Sequence, residues 1–585
     1  MSTAIVTGQP VPGSSLEGDL RALGFDVRLA PDAADAEAAL ATVPGGQRVA
    51  VVDAGFVGHV HALRLGLTDP RFNASAIPGA LAVLPSTRQA LNRAVTESGM
   101  HPDAVAKSLE AAGTDVHRPE LGDLVAAVPT DPQARNEVRQ SVAAVDDEAI
   151  RLRTAVKARD GFFTTYCVSP YSRYLARWCA RRGLTPNQVT TASLLTALIA
   201  AGCAATGTRP GFVAAGLLLL FSFVLDCTDG QLARYSLQYS TLGAWLDATF
   251  DRAKEYAYYA GLALGAANAD GDDVWALALG AMVLQTCRHV VDFSFNEANH
   301  DAAANTSPTA ALSDKLDSVG WTVWVRRMIV LPIGERWALI AILTALTTPR
   351  ITFVVLLVGC ALAACYTTAG RLLRSLTRKA RRTDRAAQAL ADLADSGPLA
   401  RLFSKVKVPA PAPVIAALGG VAVVTVSALT DVGGTWPIVV AAVYCVTSGL
   451  AVARPLKGTL DWLVPPIFRA SEYLTVLVLA ARSEVNGALP AAFGLVAAVA
   501  YHHYDTVYRI RGGTGAPPHW LVRAIGGHEG RTLVVTILAA LFTTTDFTVA
   551  LTVCAVFVAL VVLAESIRFW VSAGAPAVHD EGEPA

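Results

Sequence analysis

Charge is scarce in this chain. Of its 585 residues only 16% are Asp, Glu, Lys or Arg, while 53% are hydrophobic, a balance that excludes an ordinary soluble globule and predicts several membrane spans. The charge that is present cancels, with 48 basic against 48 acidic residues. No basic excess is left to meet a nucleic acid. Paired cysteines are missing too: the nine cysteines are scattered, none forms CxxC, and Cys203, Cys360, Cys365 and Cys554 fall in apolar stretches. They read as small packing residues, not as disulfides or zinc ligands. Residues 8–15, after the first apolar run, match no GxGxxG or Walker spacing and contain two prolines, so an ordinary turn is a better reading than a phosphate cradle. Residues 1–13 lack a basic-then-apolar leader, and the head is expected to stay in the cytoplasm.

What is present falls into two regions. Residues 1–150 alternate short apolar runs, at Ala4, Phe25, Arg48, Ala80 and Leu124, with helix-like segments, the pattern of a parallel Rossmann-like α/β layer. Asp53, followed by Gly55, ends the third run where such folds often place a ligand contact, although a strand-end turn accounts for it as well. From Asp160 the chain becomes membrane-like. Residues 172–182 are basic and amphipathic, with Tyr174 and Trp178 suited to the headgroup layer, and predict an interfacial helix. Six spans follow at about 188–208, 211–233, 243–267, 273–294, 335–347 and 351–371, long enough for the hydrocarbon layer except for the short fifth. Basic residues gather before the first span, at Arg326 and Arg327, and between Arg371 and Arg385, whereas the 268–273 connection holds Asp270, Asp272 and Asp273. That asymmetry places the head and the ends of the spans nearest it on the cytoplasmic side of the cell membrane.

The second membrane half repeats the first. Leu175-Ala-Arg-Trp has a counterpart in Leu399-Ala-Arg-Leu, Arg252-Ala-Lys-Glu-Tyr256 in Arg469-Ala-Ser-Glu-Tyr473, His289-Val-Val-Asp292 in His502-His-Tyr-Asp505, and the segment at Arg336 in that at Arg531. Charged residues carry these matches and they keep their order, which points to a duplicated six-helix unit. The expected architecture is thus a polytopic α-helical membrane protein with an N-terminal α/β domain (1–150). A six-helix unit (160–375), a basic linker (376–397), a second six-helix unit (398–573) and a disordered tail (574–585) follow.

Four carboxylates interrupt the most apolar region: Asp226 and Asp229, then Asp247 and Asp251. Spacings of three and four put each pair on one helix face. Such a group would repel itself without a cation, and a divalent metal resolves this. Asp226, Asp229 and Asp247 can hold Mg²⁺ or Mn²⁺, with Asp251 a further candidate ligand and the candidate general base. Gly230, Ala233 and Gly243 remove bulk where a ligand approaches the backbone, and Arg234 can bind phosphate. Arg252, Lys254, Arg288, Arg326, Arg327 and Arg336, near span ends, are candidates for a phosphate on a second substrate or for interfacial anchors.

The pattern DxxDGxxARx8GxxxDxxxD resembles the signature of the CDP-alcohol phosphotransferase family, with every fixed position met. The resemblance covers about residues 160–375. It implies transfer of a phosphoalcohol group from a CDP-linked donor to an alcohol acceptor, with release of CMP, at a cytoplasm-facing site among six helices. It also implies that Asp226, Asp229, Gly230, Ala233, Arg234 and Gly243 contact the CDP moiety. Asp160-Gly-Phe-Phe, Leu184-Thr-Pro-Asn-Gln-Val-Thr190 and Ile333-Gly-Glu-Arg336 look like the inositol-phosphate-using members, some of which carry a cytidylyltransferase head. The Arg and Lys such a head needs are absent from residues 5–14, which marks this one as a degenerate relative or a regulatory domain. Family members commonly work as homodimers, which suggests that the second unit is a fused partner in a pseudo-dimer; further homo-oligomerisation stays open. Val464 and Phe468 replace Asp247 and Asp251 there, and no aspartate precedes Arg454 in residues 446–453, so that unit is expected to be inactive. Its Glu472, His502, Asp505 and Arg509 either pair with one another or mark another ligand site. The competing readings are a twelve-helix transporter or flippase-like protein, and a catalytically silent scaffold.

Overall fold

The computed structural model describes residues 2–157, 160–300, 328–377 and 382–572. The candidates Arg326 and Arg327 and the tail from 574 lie outside them.

Alternation of buried side chains builds the head. Its strands are β1 (Ser2–Thr7), β2 (Phe25–Ala30), β3 (Arg48–Asp53), β4 (Val57–Gly58), β5 (Ala74–Ile77), β6 (Ala80–Val83) and β7 (Ala126–Ala127). Five form one sheet in the order β2-β1-β3-β6-β5. Ile5, Val49, Val51 and Leu81 face one side, and Ala4, Val6 and Val52 the other. Helices α1 (Leu16–Ala22) and α3 (Val60–Leu67) cover the second face, and α2 (Ala33–Thr42), α4 (Arg88–Ser98) and α5 (Pro102–Ala111) the first. The expectation of a wholly parallel layer needs correction: β1 pairs in parallel with β2 and β3, but β6 runs antiparallel to both β3 and β5. Only Pro78 and Gly79 separate β5 from β6, and Gly79 has φ of 77°. So short a connection makes a hairpin and forbids a parallel crossover. The run at Leu124 also fails to join the sheet. Its β7 pairs antiparallel with β4, and the Val125 N–H donates to His59 Nδ1 at 2.8 Å. Asp53 ends β3 in a turn, its Oδ1 accepting from the Gly55 N–H at 2.7 Å.

Helices α6 (Pro132–Ala143) and α7 (Asp147–Thr154) lead to the helical body, where α8 (Ser169–Arg181) exposes Tyr171, Tyr174 and Trp178. The first bundle comprises α9 (Pro186–Ala205), α10 (Arg209–Ser236), α11 (Thr241–Asp270), α12 (Trp275–Asn299), α13 (Ile333–Leu346) and α14 (Pro349–Thr377). After α15 (Asp384–Leu393) and α16 (Pro398–Phe403), the second comprises α17 (Ala412–Leu429), α18 (Thr435–Ala451), α19 (Val464–Arg482), α20 (Ala488–Arg511), α22 (Gly527–Leu541) and α23 (Thr545–Ser572), with the short α21 (His519–Ala524) before α22. Among the described residues, six helical segments are long and apolar enough to cross a membrane: α9, α10, α14, α17, α23 and 461–482, which contains α19.

Small residues let these helices approach closely. A Cβ on Gly265 would sit 2.0 Å from the Ala204 carbonyl oxygen, and one on Gly216 would sit 2.5 Å from that of Ala341, the close packing expected where lipid supplies no hydrophobic drive. Large side chains such as Leu195, Ile199, Leu217 and Phe221 point outward.

Neighbour relations recur between the bundles. In the first, α10 packs on α8, α9 and α13, α11 on α9, and α14 on α12; in the second, α18 packs on α16, α17 and α22, α19 on α17, and α23 on α20. The bundles meet along α11 and α12 on one side and α19 and α20 on the other. The head docks at the end of α10, where Arg151 Nε donates to the Tyr235 carbonyl at 2.8 Å and the Tyr235 hydroxyl donates to Glu148 at 2.9 Å.

His61, on α3, is only 4% exposed, and neither ring nitrogen has a hydrogen-bond partner among the described residues. Burial, reinforced by Arg151 and Arg64, pushes its pKa down to about 4. The unfolded head therefore binds this proton more readily than the folded one. His61 contributes stability above its unfolded pKa near 6.5 that is lost as pH falls towards 4, at most about 3 kcal/mol. Protection factors of the β3 amides in the full chain, which already allow for the slower intrinsic exchange at lower pH, are expected to fall between pH 6.5 and 4.5, and His61→Phe to flatten that dependence. An unchanged slope in the variant would refute this assignment.

Candidate active site

The turn joining α10 to α11 assembles the acidic group. Leu237 takes a left-handed conformation (φ 52°) at the end of α10, and Ser240 caps α11 by accepting from the Gly243 N–H at 2.9 Å. The last turns of α10 and the first turns of α11, both packed on α9, thus turn their carboxylates towards one another. A Cβ at Gly243 would meet Asn187 Oδ1 and Ser240 Oγ, both at 2.8 Å, so only glycine fits that approach without a shift.

Asp226, Asp229 and Asp247 each offer an oxygen, and the three oxygens lie within 4.8 Å of one another. A divalent ion holding oxygen ligands at about 2.0–2.6 Å spans such a group. Asp229 is 4% exposed and its Oδ2 has no hydrogen-bond partner among the described residues, an orphaned acceptor that a cation would satisfy. The residues present therefore fit a metal. Asp251 is not one of these three, and its Oδ1 lies 2.9 Å from Lys254 Nζ. Lys254 has no exposed side-chain surface. Its ammonium also donates to Asp226 Oδ1 and, at 3.1 Å, to Ser193 Oγ.

A cavity of about 560 Å³ opens on the group. All the expected positions line it: Asp226, Asp229, Gly230, Ala233, Arg234, Gly243, Asp247 and Asp251. The proposed phosphate cations fare differently. Lys254 is engaged by the aspartates, while Arg252 Nη1 donates to Glu255 at 2.8 Å and Arg336 Nε lies 3.1 Å from the same carboxylate. Arg288 donates to the Val330 carbonyl. None of these four lines the cavity. Buried cations require nearby counter-charges, and Glu255, the carboxylate that holds two of them, was not among the expected residues.

Other lining residues carried no assigned role in the sequence. Asn187 and Thr190 sit in the 184–190 stretch already singled out, and Asp160 opens another. Lys254, a phosphate candidate that does not line the cavity, follows Asp251 by three residues, a helical spacing that signals their pairing. Arg71 of the head, Arg385 of α15 and Tyr508 and Arg511 of α20 also line the cavity, and no local pattern points to them.

In the second bundle the polar residues pair. Arg509 meets Asp505 at 2.9 Å and Glu565 at 2.7 Å, His502 meets Asp395 at 3.1 Å, and Glu472 meets Arg469 at 2.9 Å and Arg531 at 2.5 Å.

Residues 183–365 match the family model of CDP-alcohol phosphatidyltransferase, and residues 384–585 match that of a family of unknown function (DUF5941). The four aspartates fall inside the first match. The chain is 33% identical over 125 residues to the bifunctional IPC transferase and DIPP synthase of Thermococcus kodakarensis, covering 21% of this chain and 27% of that protein. It is 34% identical over 91 residues to the archaetidylinositol phosphate synthase of Pyrococcus horikoshii, covering 16% and 47%. It is 32% identical over 130 residues to the phosphatidylinositol phosphate synthase of Streptomyces avermitilis, covering 21% and 51%. The chain thus spans about a quarter of the first relative's length and about half of the other two.

Asp229→Asn is expected to weaken Mn²⁺ binding, measured by calorimetry on the purified full chain, by about 100-fold or more, and Asp251→Asn by about threefold or less. Equal losses would contradict the separation of Asp251 from the triad.

Proposed function

We propose that this chain is an integral membrane transferase that moves a phosphoalcohol group from a CDP-linked donor to an alcohol acceptor of the inositol-phosphate class, releasing CMP. The observation that carries the proposal is the convergence of Asp226, Asp229 and Asp247 on one cavity with Gly230, Arg234 and Gly243, inside the segment that matches the CDP-alcohol phosphatidyltransferase model. The named activities of the inositol-related relatives support the acceptor class.

Asp226, Asp229 and Asp247 would hold Mg²⁺ or Mn²⁺, which when bound neutralises diphosphate charge. Gly230, Ala233 and Gly243 leave the backbone open to the nucleotide, and Arg234 offers a guanidinium to a phosphate oxygen. Asp251 takes the proton of the acceptor hydroxyl as the hydroxyl oxygen bonds to phosphorus and the phosphoanhydride bond to CMP breaks. Lys254 positions Asp251 through their 2.9 Å contact.

The head and the site face the cytoplasm of the cell membrane in this account, on the basic side of the charge asymmetry. The second bundle is a fused, metal-free counterpart of the first, completing a pseudo-dimer. Its recurring helix neighbours and its Val464 and Phe468 support that reading.

Purified protein supplied with Mg²⁺, a CDP-linked donor and an inositol phosphate is expected to release CMP. Asp251→Asn is expected to lower kcat by about 10²–10⁴ while the fold persists. No CMP across lipid and soluble donors would remove the transferase reading.

A further inference from the structure

The head reaches into the site. Arg71, in the connection between α3 and β5, lines the same cavity as the aspartates, and so does Lys157 after α7, although both lie outside the segment 183–365 that matches the CDP-alcohol phosphatidyltransferase model. Arg71 arrives there by lying over the Tyr239 ring, its guanidinium carbon 3.9 Å from the ring centroid. Tyr239 also lines the cavity, and it belongs to the turn between α10 and α11 that assembles the acidic group.

From the head's side Arg71 is firmly held. Its Nε and Nη2 donate to Asp69 Oδ1 and Oδ2 at 3.1 and 2.8 Å, and its backbone N–H donates to Oδ1 at 3.0 Å. The Asp69 carbonyl in turn accepts from Nη2 of Arg48, the first residue of β3, at 2.8 Å. Beside them Phe72 stacks on His117 with ring centroids 3.5 Å apart. The guanidinium is thus a fixed plate tied to the central sheet, and a planar cation over an aromatic face is attracted by the ring quadrupole. The other side of the turn is gripped as well. Arg151 on α7 lies 3.5 Å over the Tyr235 ring, and the Ala155 carbonyl accepts from Arg234 Nε at 2.6 Å. Leu237, with its left-handed backbone, falls between the two grips. Such a conformation persists where its surroundings over-determine it.

We infer that the head is a clamp on the α10–α11 turn, with Arg71 acting through Tyr239 as a positioning residue that keeps Asp229 on α10 set against Asp247 on α11. The head thereby raises the affinity of the metal group without contributing a ligand to it. Coupling of this kind is reciprocal, so a metal in the group must in turn tighten the contact between head and turn. The clamp acts on the metal group alone and holds whether or not that group transfers a phosphoalcohol.

The test measures Mn²⁺ binding by calorimetry and amide exchange by mass spectrometry on the purified full chain. Arg71→Ala and Tyr239→Ala should each weaken Mn²⁺ binding about three- to tenfold and speed exchange across residues 237–243, and the double variant should lose no more than the larger single loss. Arg71→Lys should recover little, because an ammonium cannot both hold the two Asp69 oxygens and lie flat on the ring. Tyr239→Phe, which keeps the ring, should retain most of the affinity. Saturating Mn²⁺ should slow exchange at residues 69–72 in the wild type but not in Tyr239→Ala. Tyr239→Ala leaves the pair of Arg71 with Asp69 in place, and it decides the matter if Arg71→Ala loosens the head. Unchanged Mn²⁺ affinity in Tyr239→Ala, additive losses in the double variant, or no effect of Mn²⁺ on residues 69–72 would overturn the inference.

Discussion

One buried ammonium holds the site together. Lys254 has no exposed side-chain surface, yet it contacts Asp226 on α10 and Asp251 on α11. In a medium of low dielectric, four carboxylates converging from two helices would force the helices apart or take up protons. Lys254 offsets part of that charge, and the remaining three oxygens, drawn within 4.8 Å of each other, are left suited to a divalent ion. The same ammonium holds Asp251, one turn beyond Asp247, at 2.9 Å.

The second bundle supplies an internal control. Where Asp247 and Asp251 become Val464 and Phe468, the position of Lys254 becomes Ser471. Acids and balancing base are absent together. What stays is the deeper ion pair, Arg469 with Glu472 and Arg531, matching Arg252 with Glu255 and Arg336. The second bundle adds Asp395, 2.9 Å from Arg469 and 2.8 Å from Arg531. That shared pair is therefore part of the scaffold of both bundles, since removing one partner would leave a buried charge uncompensated.

Legibility followed the range of the interactions. The aspartates, Gly230, Ala233, Arg234 and Gly243 were readable because the chemistry and the helix spacing lie within one stretch of chain. The spans of the first bundle were read from apolar stretches and those of the second from the repeat of charged residues, although only six helical segments among the described residues are long and apolar enough to cross a membrane. The head misled at β6 because an apolar run carries no strand direction; the Pro78-Gly79 turn was the available clue. Of the basic candidates, Arg252, Lys254, Arg288 and Arg336 do not line the cavity, and the sequence could not say so. A cation near a span end looks the same in sequence whether it faces substrate or a buried Glu255. Tyr508 and Arg511 could not be found at all, because they reach the site only through packing between the two bundles.

Anomalous scattering from Mn²⁺-soaked crystals of the full chain tests the central claim most directly. The account predicts one strong peak bounded by oxygens of Asp226, Asp229 and Asp247, with Lys254 still in contact with Asp251. No peak there, or a peak bounded by Asp251 in place of Asp229, would contradict it.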